Sequence, residues 1–142
     1  MMNPAILEKL KASIKKHEGF KQFPYHDTKN KITIGYGHNL SDVGLKESEC
    51  DLLLSNDIFT ATYELYHFIP WAQNLDDVRK AVMIEMTFNI GIEKVLQFRK
   101  LLDALQNKDY QQAAKEMLDS EWAKEVGNRA HDMAYSMESG IL

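Results

Sequence analysis

Apolar residues recur at helical spacing from Ile6 to Ile14, alternate with polar or small ones from Ile32 to Tyr36, and return to helical spacing after residue 46. That change of period predicts a helix, then a β-hairpin, then a series of helices. Asn3 before Pro4 is a good helix start, since Asn accepts from the free first-turn amides and Pro tolerates the first position. Ile6, Leu7, Leu10 and Ile14 then form one apolar face, and Gly19 can stop the helix. From Phe20 the pattern is that of strands, with Thr28-Lys29-Asn30-Lys31 as the turn. Alternation places Thr33 on the face opposite Ile32 and Ile34, and Asp27 at the end of the first strand. Gly35 and Gly37 leave room for a bulky ligand to lie close to the backbone.

Residues 46–67 read as one long helix with Glu47, Glu49 and Asp51 in its first turn, the end that favours acids. Pro70-Trp71 breaks it. Asp76 or Asp77 caps DDVRKAVMIEMTFNIG, whose apolar residues cover nearly every side, the mark of a central buried helix ended by Gly91. Helices over about 94–106, 109–123 and 128–138 complete the chain. The fold expected is α+β but mainly α, a single domain over 1–142. A small hairpin lobe (about 18–45) and a larger helical lobe (about 67–142 plus the N-terminal helix) are joined by the long helix, with a cleft between them.

Composition narrows the function classes. The formal net charge of −4 argues against a nucleic-acid footprint, which calls for a basic face. One cysteine, Cys50, excludes an internal disulfide and is expected to be a buried small side chain. The N-terminus mixes lysines with apolar residues at helical spacing, unlike a signal peptide, and no apolar run reaches membrane length. The expected location is therefore the compartment of synthesis.

The chemistry concentrates in HEGFKQFPYHDTKNKITIGYGHNL, where Asp27 follows Glu18 by nine residues and Thr33 follows Asp27 by six. A helix end and a glycine-rich hairpin would thus carry two carboxylates and a hydroxyl, the parts of a glycoside-cleaving site. One carboxyl gives a proton to the leaving oxygen while the other stays ionised to direct water. Glu18 stands at a helix C-terminus, where the macrodipole disfavours negative charge. Each residue also has a plainer reading: a solvated acid for Glu18, a turn residue for Asp27, a β-former for Thr33. Their joint spacing outweighs these. His17, His26 and His38 lie beside the carboxylates but fit no common ligand spacing, and the HExxH pattern is absent, so no metal is expected.

These residues resemble the phage-type lysozymes, endolysin muramidases that cut bacterial peptidoglycan. HEGF, the Glu18-Asp27-Thr33 spacing, TIGYGHNL, MTFNIG and AAKEMLDSEWAKEVGNRA carry the likeness, in order, from about residue 5 to 131. The resemblance implies that Glu18 is the catalytic acid, Asp27 the second carboxylate and Thr33 the hydroxyl that helps hold the attacking water. It implies that Asn39, Phe88 and Asn89 line the saccharide cleft and that His38 is structural. It also implies hydrolysis of the β-1,4 bond between N-acetylmuramic acid and N-acetylglucosamine with inversion, no cofactor, a monomer, and access to the wall through a holin. Leu101 and Glu116 replace small polar cleft residues, so no binding role carries over to them. The negative charge differs from the basic character common in enzymes that attack an anionic wall. Rival readings are a lytic transglycosylase, for which Asp27 and Thr33 would be largely superfluous, and a non-catalytic glycan-binding module.

Overall fold

A computed structural model describes all 142 residues. It divides into two compact units, residues 1–51 and 52–142. The fold is mainly helical with one small antiparallel sheet, as the pattern predicts.

The first unit opens with α1, Pro4–Glu18, capped by Asn3, whose Oδ1 accepts from the Ala5 amide at 2.8 Å. Gly19 ends it, its amide donating to the Lys15 carbonyl. Strands β1 (Lys21–His26) and β2 (Ile32–Gly35) form the hairpin, with Tyr25 opposite Thr33 and His26 opposite Ile32. A short third strand, β3 (His38–Asn39), pairs with β2 and was not legible as a strand because it is only two residues long. A turn of helix, α2 (Leu40–Val43), follows. This unit has almost no core of its own: Thr33 is its one buried side chain. Ile6, Leu7, Leu10 and Ile14 do share a face of α1, and all four are exposed.

The unit boundary falls inside α3, Glu47–Phe68. Residues 47–60 are exposed throughout, Cys50 among them, which corrects the expectation of a buried thiol. Further along, Ala61 and Leu65 are buried, one helical turn apart. A 3-10 turn at Pro70–Asn74 and the Asp76 cap, which accepts from the Arg79 amide, lead into α4, Asp77–Ile90. Val82, Met83, Met86 and Thr87 are buried, but Phe88 and Glu85 face outward, so α4 is covered on one side rather than all round.

The two predicted helices that follow are each divided. Residues 92–106 form α5 (Ile92–Val95) and α6 (Arg99–Gln106), separated where the Gln97 and Phe98 amides bond three residues back instead of four. Residues 110–126 form α7 (Tyr110–Leu118) and α8 (Glu121–Val126), because Ser120 caps a new helix by accepting from the Ala123 amide. The last helix, α9 (Asn128–Ser139), packs chiefly on α7, and also on α4 and α8. Met83, Met86, Met117 and Met137 are sealed at the centre of this core, where their flexible side chains fill gaps. Truncating any one to Ala would cost about 2–5 kcal/mol. Arg79 closes the far end, its guanidinium 3.7 Å from the Tyr110 ring centroid while it donates to the carbonyls of Met137 and Glu138.

Candidate active site

Asp27 is fixed by the turn it occupies. Its Oδ1 accepts from the amides of Lys29 at 2.9 Å and Lys31 at 2.8 Å, and its carbonyl accepts from the Asn30 amide. An aspartate that folds the chain back over itself in this way holds its carboxylate stationary. Asn30 adopts φ +61°, which Asn tolerates well, so the hairpin can close in few residues. Oδ2 takes part in none of these bonds and remains available to a water or a substrate group.

Thr33 joins the same arrangement. Its Oγ1 donates to the Lys31 carbonyl at 2.9 Å, and that carbonyl also accepts from the Asp27 amide. One peptide unit and its neighbour, contributed by Lys31, therefore hold both the carboxylate and the hydroxyl. Thr33 is 3% exposed, so its rotamer is set by packing as well as by the hydrogen bond. With its proton donated inward, the hydroxyl oxygen has lone pairs left to accept from a water.

Glu18 is the last residue of α1 and is exposed. Its carboxylate lies against Gly37, since a β-carbon built there would come within 2.8 Å of Oε2. Gly37 also has φ +76°, which disfavours any residue with a side chain. The glycine pattern predicts room for a ligand at both Gly35 and Gly37. Gly35 has open space beside it, whereas Gly37 makes room for the Glu18 carboxylate itself. Lys31 is the position in this arrangement that the residue pattern did not reveal; it acts through its backbone, and the only signal is an Asp four residues before it.

Asn39 pairs with Thr33 across β2 and β3, yet both ends of its side-chain amide are occupied. Oδ1 caps α2 by accepting from the Asp42 amide, and Nδ2 donates to Asp42 Oδ2 at 3.0 Å. Lys31 Nζ donates to the other Asp42 oxygen at 3.0 Å. The Lys31 bond first, then the Asn39 bond, hold Asp42 below the ordinary aspartate range. His38 Nε2 donates to the Gly44 carbonyl, the structural role expected of it. His17, His26 and His38 do not gather with carboxylates into a set of three able to hold a metal ion.

Phe88 and Asn89 lie in the second unit. Phe88, 42% exposed, lines an apolar groove of about 460 Å³ with Leu54, Ile58, Ala81 and Ile84, edged by the Glu85–Arg129 pair. Arg129 Nε donates to Glu85 Oε2 at 2.9 Å and so ties α9 to α4. Asn89 is tied to the core: its Oδ1 accepts from Trp122 Nε1 at 2.7 Å. Leu101 is fully buried and Glu116 accepts from Gln112.

A family model described as phage lysozyme matches residues 15–134. The chain belongs to the phage lysozyme family. Its members are muramidase-type peptidoglycan hydrolases. Two proteins of Dictyostelium discoideum are similar over nearly their whole length. Probable T4-type lysozyme 1 is 29% identical over 96% of this chain and 98% of its own. Probable T4-type lysozyme 2 is 25% identical with the same coverage. No helix of this family member is long and apolar enough to cross a membrane.

Proposed function

We propose that this lysozyme-family chain hydrolyses the β-1,4 bond between N-acetylmuramic acid and N-acetylglucosamine, with inversion, using Glu18, Asp27 and Thr33. The observation that carries the reading is the double attachment of Asp27 and Thr33 to Lys31. A general base that directs water must be charged, stationary and next to a second group that can orient that water. The two amides on Oδ1 hold Asp27 stationary and leave Oδ2 free. The Thr33 hydroxyl provides the third.

In the reaction Glu18 gives its proton to the glycosidic oxygen as the bond to the anomeric carbon breaks and positive charge develops on the sugar ring. Asp27 takes a proton from water as the water oxygen attacks the anomeric carbon from the opposite face. The products are a free hydroxyl on the leaving sugar and an inverted reducing end. Asn39, Phe88 and Asn89 are proposed to line the saccharide path. Phe88 offers a ring face, whereas Asn39 and Asn89 act by fixing the backbone around them, since their side chains are already bonded. A lytic transglycosylase would need only the acid and would place no demand on a held Asp27. Release of reducing ends from purified peptidoglycan, without an anhydro-sugar product, tests the reading.

A further inference from the structure

We infer that the net-acidic chain is captured by the carboxylates of the peptidoglycan peptide stems through a basic surface confined to residues 1–46, the segment that carries Glu18, Asp27 and Thr33. The inference rests on the peptidoglycan reading given above. Charge is segregated along the sequence: residues 1–46 hold eight lysines against Glu8, Glu18, Asp27 and Asp42, whereas residues 47–142 hold nine basic side chains against seventeen acidic ones. The overall charge of −4 thus conceals a positive segment. Lys9, Lys16, Lys21 and Lys29 are exposed and none of them is paired with a carboxylate, while Lys11 pairs with Glu8 and Lys31 with Asp42. Lys9 and Lys16 stand two helical turns apart on one side of α1, about 10 Å by helix rise, and Lys21 starts β1. Unpaired exposed cations attract a polyanion at long range, and the attraction fades once the screening length falls to a few ångströms.

A peptide-bearing glycan suits this surface because the same segment holds Glu18, Asp27 and Thr33. The side of α1 that carries Lys9 and Lys16 also carries Ala5, Ala12, Ser13 and the exposed Ile6, while Leu7, Leu10 and Ile14 lie away from it. The peptide stems put their carboxylates beside the bond to be cut, so attraction to them brings the polymer to the segment that holds the carboxyl pair. A chain whose positive charge lay elsewhere would bind the wall without presenting Glu18 to it.

The test compares two triple variants of equal net charge in a Glu18→Gln background. One replaces Lys9, Lys16 and Lys21 by Gln; the other replaces Lys94, Lys100 and Lys115, which are also exposed and unpaired. Binding is measured by co-sedimentation with sacculi stripped of phosphate polymers, in low salt and in high salt. The first triple should lose about tenfold or more of its affinity at low salt, and the loss should vanish in high salt. The second should bind like its parent. Equal loss in both triples, no loss in either, or loss of all binding on stripping phosphate polymers would overturn the inference, as would tighter binding to phosphatidylglycerol vesicles than to sacculi. Each triple with Glu18 restored should cleave a small uncharged oligosaccharide at the parent rate. If the parent itself releases no reducing ends, the hydrolase reading fails separately from the capture result.

Discussion

Asp27 and Thr33 are bound to the same residue from opposite sides: Asp27 Oδ1 accepts from the Lys31 amide at 2.8 Å, and Thr33 Oγ1 donates to the Lys31 carbonyl at 2.9 Å. Neither side chain can swing without disturbing the turn that holds the other. The spacing of the two residues in sequence therefore has a mechanical reason, four residues across the turn from Asp27 to Lys31 and two more along the strand to Thr33.

Asp27→Asn separates charge from geometry. The amide oxygen can still accept from the Lys29 and Lys31 amides, so the turn and the fold should persist. Loss of the base should lower turnover by about 10²- to 10⁴-fold. Asp27→Ala should add a loss of thermal stability of about 1 kcal/mol, because two amides lose their acceptor. Calorimetry and peptidoglycan turnover, measured together on both variants, check the distinction.

Thr33→Val keeps the buried volume and the strand preference but removes the hydroxyl. The Lys31 carbonyl still accepts from the Asp27 amide, so the stability cost should stay near 1 kcal/mol. Turnover should fall and Thr33→Ser should recover much of it. Equal turnover in all three proteins would remove Thr33 from the mechanism.

Gly37→Ala should damage activity beyond its cost in backbone strain. The new methyl would sit 2.8 Å from Glu18 Oε2 and displace the carboxylate, while φ +76° adds strain of about 1–2 kcal/mol. Gly44→Ala is the control, with φ +66° and open space beside it. Comparable destabilisation with activity lost only at Gly37 is the expected outcome.

Much of this arrangement could be read from residue types and spacing. The caps at Asn3, Asp76 and Gly91 and the hairpin turn all follow from local rules. The division at Ser120 was readable in principle, since Ser is a strong cap, but the helical pattern on either side is continuous. Asn39 and Asn89 show where one chain read in isolation stops. The bond from Asn39 to Asp42 is local, three residues on, and is a recognisable helix cap. The bond between Asn89 and Trp122 spans thirty-three residues and exists only because α4 and α8 meet in the fold. The exposure of Cys50 is likewise tertiary: no residue from 47 to 60 is buried, whatever its type.

Asp42 gives the hairpin unit a dependence on acid. Its folded carboxyl is held below the ordinary aspartate range because Lys31 and then Asn39 bond the charged form. The stabilisation is therefore complete above the unfolded value and is lost as pH falls through the lower folded value. Asp42→Asn should narrow the stability difference from wild type steadily below about pH 4. The effect should be small and shrink with salt, because the pair is exposed. Thermal unfolding of both proteins across that range is the measurement.

The anomeric form of the first product tests most directly whether Glu18 and Asp27 act together through water. Inverting enzymes leave room for a water between carboxyls roughly 6.5–9.5 Å apart, whereas a nucleophilic carboxylate stands nearer to the acid. Chromatography of fresh digests, run before mutarotation, should show the α-anomer at the new reducing end. Appearance of the β-anomer first, or of an anhydro-muramyl sugar, would contradict the assignment of Asp27 as the base that directs water.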